Sequence, residues 1–331
     1  MTIPGIPTTI LVAPDSFKGT LSATAVAAAL GRGLRDAGRE AELCPIADGG
    51  EGTLDALLPA IEGELRTARV SDPLGREIEA RFALGDGVAV VETAAASGLG
   101  LVAEVERDAV AASTAGTGEL ILVAIEAGAR TVYLGVGGSA TTDGGAGAIR
   151  AIRHGGGLGG ARLVVLCDVR TPFEEVARVF APQKGATPDD VKRLTRRLSD
   201  QARRLAHDPR GVPMTGAAGG LSGGLWGALG AELVPGASFV LDALDFDRRM
   251  RASRAVITGE GKLDQQSLAG KAVSEVATRA RQSGVPCYAV VGQRELDAFG
   301  LRVLDLQLAL EAGTVEELED AGGRLAAAVG P

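Results

Sequence analysis

Apolar runs of five or six residues, several of them continuously apolar, alternate along this chain with alanine-rich amphipathic runs. That alternation limits the fold more than any single motif does. The apolar runs are 9–13 (TILVA), 88–92 (VAVVE), 131–136 (TVYLGV), 163–167 (LVVLC), 254–258 (RAVIT) and 286–291 (PCYAVV). Unbroken apolar runs of this length suit strands buried on both faces, as in parallel sheets. The amphipathic runs predict helices over 22–37, 117–128, 144–153, 188–206, 268–282 and 315–328. Thr187 ahead of Pro188 and Asp190, and Thr314 ahead of Glu317, have the spacing of helix N-caps. Gly38 and Gly128 stand where C-caps belong. Strand–helix alternation of this kind predicts an α/β protein with a mostly parallel sheet.

The 331 residues leave room for two domains or one large one. Apolar residues make up 46% but aromatics only 3%, so the core must be built from Ala, Val and Leu. A net charge of −8, with no long basic run, argues against nucleic acid as a partner. No charge-free apolar stretch of about 20 residues appears, so no membrane span is expected. The start MTIPGIPTT lacks a basic region ahead of its apolar residues, so a secretory signal is not expected and the location is read as cytoplasmic. Cys44, Cys167 and Cys287 are far apart and odd in number, which fits buried free thiols. His154 and His207 are the only histidines, so histidine-based catalysis has few candidates. Lysine is as scarce: Lys18, Lys184, Lys192, Lys262 and Lys271, against twenty-nine arginines. All but Lys192 adjoin a glycine. An ammonium beside flexible backbone suits a phosphate or carboxylate contact, most of all at Lys18 and Lys262.

In parallel sheets ligands bind beyond the carboxyl ends of strands. The unusual residues of this chain fall there: APDSFKGT after 9–13, ADGGEGT at 47–53, GGSATTDGG after 131–136, DVRTP after 163–167 and GEGKLDQQS after 254–258. Gly135-x-Gly137-x-x-Ala140 matches a relaxed dinucleotide fingerprint, yet 150–162 carries no acid to hold a ribose. Gly220-x-Ser222-x-Gly224 matches a nucleophile elbow, yet no histidine follows it. A Walker-type phosphate loop is absent, because Lys262 precedes Leu263 and Lys271 precedes Ala272. The segment 208–224 reads as a linker or a backbone-lined loop. What remains is a set of acids in glycine-rich settings: Asp15, Asp48, Glu51, Asp143, Asp168, Glu260 and Asp264. Singly, each can be a turn or cap residue. Together with the lysines they supply what phosphoryl transfer needs: carboxylates for Mg²⁺, cations for phosphate, and a base.

APDSFKGTLSA (13–23), ADGGEGT (47–53), DPLGR (72–76), ETAAASGL (92–99), STAGTGELI (113–121), GVGGSATTDGGAG (135–147), APQKGA (181–186), GAAGGL (216–221) and ITGEGKLDQQSLAGK (257–271) together resemble the type I glycerate kinase family. The motifs follow family order over nearly the whole chain. The resemblance implies an ATP-dependent, Mg²⁺-requiring kinase acting on glycerate, in most members giving 2-phosphoglycerate, with 3-phosphoglycerate as the alternative. It implies two α/β domains with the site in the cleft: a flavodoxin-like, Rossmann-like domain with a parallel sheet from both chain ends, here 1–66 with 241–331, and an inserted second domain, 67–240. On this chain Lys18, Asp48 and Asp168 become the catalytic candidates. Ser16, Lys18, Gly49, Gly50 and Arg76 become the glycerate contacts. Gly137, Gly138, Ser139, Thr141, Thr142, Asp143, Gly144, Glu260 and Lys262 become the ATP contacts, and Asp48, Asp168 and Asp264 the Mg²⁺ ligands. One stretch departs from the pattern: 148–180 is shortened, and Thr171 replaces an Asn before Pro172. A nicotinamide oxidoreductase for a small hydroxy acid and a non-catalytic anion binder are the competing readings, and a homo-oligomer is left open.

Overall fold

The computed structural model describes residues 8–17 and 19–330. Among them, eleven strands form two sheets: β1 (Ile10–Pro14), β2 (Ala41–Leu43), β3 (Glu64–Ser71), β4 (Glu77–Gly85), β5 (Val88–Glu92), β6 (Thr131–Gly135), β7 (Arg162–Leu166), β8 (Glu232–Val234), β9 (Ala255–Leu263), β10 (Cys287–Arg294) and β11 (Leu306–Glu311). The chain divides into two compact units: residues up to Asp48 together with those from Ala237 on, and Gly49–Gly236.

The first unit carries an all-parallel sheet in the order β11-β10-β9-β1-β2. Counted within the unit, that is the 2-1-3-4-5 order of flavodoxin-like folds. Alternation along β1 explains how both faces fill. Ile10 and Val12 pack with Leu30, Leu34, Leu318 and Leu325 on one side. Leu11 and Ala13 pack with Phe246, Val273 and Val276 on the other. The expected Thr314 cap is present as a reciprocal capping box opening the helix Val315–Ala328.

The second unit holds the sheet β3-β4-β5-β6-β7-β8, parallel from β5 to β8 and antiparallel from β3 to β5. The antiparallel pair escapes an apolar-run criterion because β3 is mostly exposed and polar. The unit boundaries fall at 48 and 236, where 66 and 240 were expected. Residues 49–57 go with the second unit because the Glu92 carboxylate at the end of β5 accepts the N–H groups of Gly52 and Leu54, at 2.8 and 2.9 Å. The segment 208–224 is not a linker: the span Ala217–Leu229, helical apart from a left-handed kink at Ala218, Gly219 and Gly220, begins within it.

Candidate active site

In the second unit, β6 runs into the loop 136–145, which leads to the helix Ala146–His154. The loop is set by close backbone contacts. A Cβ on Gly137 would lie 2.5 Å from the Gly50 Cα, so only glycine lets the two strand-end loops touch here. Behind the loop, Ala218, Gly219 and Gly220 take left-handed conformations in succession and bring Gly219 against the Thr141 carbonyl.

Side chains then fix the loop from within. The buried Asp143 carboxylate accepts Thr114 N–H (3.0 Å), Thr114 Oγ1 (2.9 Å), Gly145 N–H (3.0 Å) and Gly147 N–H (3.0 Å). Three loop carbonyls are held from other segments: Thr141 O by Lys184 (2.5 Å), Thr142 O by Arg197 (3.0 Å) and Gly144 O by Gln201 (2.7 Å). With the carbonyls turned to these donors, the N–H groups of Gly138, Thr141 and Thr142 meet no protein acceptor among the described residues. The Thr141 and Thr142 hydroxyls are also buried without a hydrogen-bond partner. Unused donors clustered on a glycine-rich loop are the chemistry of an anion cradle. Lys184 adds charge beneath it. Its ammonium is buried, donates also to Ser139 Oγ at 2.9 Å, and has its pKa pushed down to about 7 by burial, offset in part by Asp143.

In the first unit, the sheet order reverses at β1, whose neighbours are β2 and β9. A cavity of about 390 Å³ opens at the carboxyl ends of β1, β9 and β10. Asp15, Ser16, Thr20, Glu260, Lys262 and Lys271 are among its lining residues. The Ser16 hydroxyl is buried without a hydrogen-bond partner among the described residues. Lys271 Nζ stands 3.8 Å from Glu260. The cavity therefore presents a hydroxyl, a cation and carboxylates to a small polar ligand.

The expected residues fare unevenly. Gly137, Gly138, Ser139, Thr141, Thr142 and Gly144 do form one loop, with Gly50 against it. Gly49 has a left-handed backbone close to the Leu166 carbonyl. Ser16 and Glu260 meet in the first unit's cavity. Asp143, expected at the ligand, has its carboxylate taken up by internal donors. Asp264, expected at a metal, caps the short helix Gln265–Ala269, accepting Gln266 N–H at 2.8 Å. No group of three or more His, Cys, Asp or Glu side chains placed to hold a metal occurs among the described residues. Lys262 lines the cavity but pairs with Glu295 at the exposed surface (2.9 Å), which raises its pKa. Arg76 is drawn into a turn: it bonds Asp72 at 2.6 Å, Glu106 at 3.2 Å and the Leu101 carbonyl. Asp48 is half-buried at the end of the first unit's opening segment, and Asp168 half-buried just beyond β7 in the second unit. Lys18 lies outside the described residues.

Several residues of the candidate site are not evident as such from the sequence. Lys184 and Lys271 carried a signal, the lysine–glycine adjacency, but ranked below Lys18 and Lys262. Thr114 and Glu92 lie within STAGTGELI and ETAAASGL, where nothing in the sequence marks their side chains from the rest. Arg197 and Gln201 gave none, since polar residues on an amphipathic helix look like surface. The exclusions agree with the structure: all three thiols are buried and free, and Ser222 Oγ donates to the Met214 carbonyl at 2.7 Å. No helix is long and apolar enough to cross a membrane among the described residues.

Comparison with known proteins agrees across the chain. The model of the glycerate kinase family matches residues 10–155 and 156–321. Glycerate kinase of Halalkalibacterium halodurans is 39% identical, covering 86% of this chain and 85% of its own. Glycerate 2-kinase of Escherichia coli is 39% identical, covering 86% and 84%. Glycerate kinase of Bacillus subtilis is 39% identical, covering 94% and 92%. A crystal structure described as a candidate glycerate kinase 2 of Salmonella typhimurium LT2 superposes with a TM-score of 0.81 at 33% identity, covering 98% of both chains.

Proposed function

The chain belongs to the glycerate kinase family, and we propose that it transfers the terminal phosphoryl group of ATP to D-glycerate, forming 2-phosphoglycerate. The observation that carries this reading is the loop 136–145, whose free N–H groups and buried, unpartnered Thr141 and Thr142 hydroxyls suit a phosphate chain. In this reading Gly137, Gly138, Ser139, Thr141, Thr142 and Gly144 cradle the donor phosphates, and Asp143 holds the cradle rather than the ligand. The cavity of the first unit takes glycerate. Ser16 bonds a hydroxyl or carboxylate oxygen, Lys271 faces the carboxylate, and Lys18 supplies a further cation from the same strand-end loop.

Asp48 and Asp168 are the acids for the base and for Mg²⁺. Mg²⁺ needs only one or two protein carboxylates when nucleotide phosphates and water complete its shell, so a single one of these acids suffices without a dedicated cage. When bound, the ion neutralises phosphate charge. What the chain itself contributes is placement and fixed donors aimed at phosphoryl oxygens, the terms that dominate this chemistry. An ATP-consuming enzyme of this kind belongs in the cytoplasm.

The test is phosphorus NMR of the product made from D-glycerate, ATP and Mg²⁺. A 2-phosphoglycerate resonance with stoichiometric ADP is expected. A 3-phosphoglycerate resonance would overturn the regiochemistry alone, and no phosphoglycerate at all would overturn the reading.

A further inference from the structure

Lys184 is the one buried lysine or arginine among the described residues. It closes the short helix Pro182–Lys184 and is followed by Gly185 in a left-handed turn. An ammonium carries three protons. Two have protein acceptors among the described residues, Ser139 Oγ at 2.9 Å and the Thr141 carbonyl at 2.5 Å. The carboxylate that acts on it, Asp143, is already engaged by four donors. The Thr142 carbonyl next in line is held by another cation, Arg197. Beneath this loop two cations, the buried Lys184 and the half-buried Arg197, thus face a single buried carboxylate whose oxygens already accept four hydrogen bonds. A brace needs no charge: an amide of similar reach makes the same two hydrogen bonds without the desolvation cost of an ion.

We propose that Lys184 is the resident cation of the phosphate loop: it braces Ser139 and Thr141 and supplies the positive charge that the donor's phosphate chain meets there. This rests on the reading of the loop as the ATP cradle. The charged groups around Lys184 are Asp143 in the loop and Arg197 from the helix Pro188–Ala202. Arg178 on the adjoining helix Val176–Phe180 is exposed and bonds Glu175, and Arg107, whose carbonyl lies beside Gly185, reaches towards Glu104. Neither of these two pairs offers Lys184 a carboxylate. Burial lowers the ammonium's pKa to about 7, so above about pH 7 binding of an anion must also take up a proton.

The test compares the full-length chain with Lys184→Met and Lys184→Gln. ADP binding by calorimetry and glycerate kinase kinetics are measured at pH 7.0 and 8.5, with thermal unfolding of each apoprotein. For the unaltered protein, ADP affinity is expected to fall by about tenfold between those pH values as the ammonium loses its proton. Both variants are expected to bind ADP at least about tenfold more weakly at pH 7.0, to lose that pH dependence and to raise the KM for ATP. The KM for glycerate and the apoprotein's unfolding should stay near those of the parent. Unchanged ADP affinity and pH profile in Lys184→Gln would overturn the proposal and leave a neutral brace. Unfolding of both variants would overturn it too, making Lys184 a structural strut. If the unaltered protein binds ADP with the expected pH dependence but phosphorylates no glycerate, the proposed function fails while the role of Lys184 stands. If it binds no ADP, both fail.

Discussion

The loops 136–145 and 260–271 look alike as sequence. Each begins at the carboxyl end of a parallel strand and joins glycines to acidic and hydroxyl side chains, and the second carries two lysines as well. In the first, the acid is buried: Asp143 gathers Thr114, Gly145 and Gly147, so it binds the loop to a segment nearly thirty residues away. In the second, Asp264 caps only its own short helix, through Gln266 and Ser267, and Lys262 pairs with Glu295 in solvent. The same residue types thus build a fixed cradle where neighbours bury them and an ordinary turn where they do not. Charge buried among directed donors acts in a low dielectric and holds geometry, whereas exposed pairs contribute little.

The largest break in this comparison is expected at Asp143. In Asp143→Asn the amide group must turn a donor towards at least one of the Thr114, Gly145 and Gly147 donors. A cost of about 2–4 kcal/mol in urea unfolding is expected, with a loss of kcat/KM for ATP that follows the distorted loop. Asp264→Asn keeps an acceptor for Gln266 and should change neither readout appreciably. Full stability in Asp143→Asn, with turnover nevertheless abolished, would instead make Asp143 a metal or phosphate contact.

A smaller effect is expected from Gly137→Ala. The new methyl would lie 2.5 Å from the Gly50 Cα, with backbone on both sides that cannot turn away. About 1–3 kcal/mol of stability should be lost, by the mechanism of overpacking. Because the two loops are pushed apart, the KM for ATP should rise as well. A normal KM in a folded Gly137→Ala protein would show that the contact between the loops serves packing alone.

How much of this was legible beforehand follows from what burial does to a pattern. β1, β5, β6 and β7 announce themselves because both faces are apolar, and the helix at 315–328 because Thr314 and Glu317 stand in capping register. β3 and β4 are missed because one strand of the pair faces solvent and its pattern is mixed. At the site, the glycine loop could be read because glycine leaves few alternatives where backbones touch. The partners of that loop could not. Arg197 and Gln201 sit on a strongly amphipathic helix, where only the packing turns two polar residues towards the carbonyls of Thr142 and Gly144. Lys184 was ranked low because adjacency to glycine cannot tell a solvated ammonium from a buried one.

The finest test separates the two lysines of the second loop. Lys271 stands 3.8 Å from Glu260 at the cavity and is partly buried, whereas Lys262 is drawn off to the exposed Glu295. Lys271→Ala should raise the KM for glycerate about tenfold, as expected when a cation facing a carboxylate is removed. Lys262→Ala should stay within about twofold of the parent in both kcat and KM, since an exposed pair is already screened by water and salt. Steady-state kinetics at fixed saturating ATP read both. Equal losses in the two variants would mean that Lys262 leaves Glu295 when the substrate arrives, and that the second loop is reorganised by its ligand rather than prebuilt like the first.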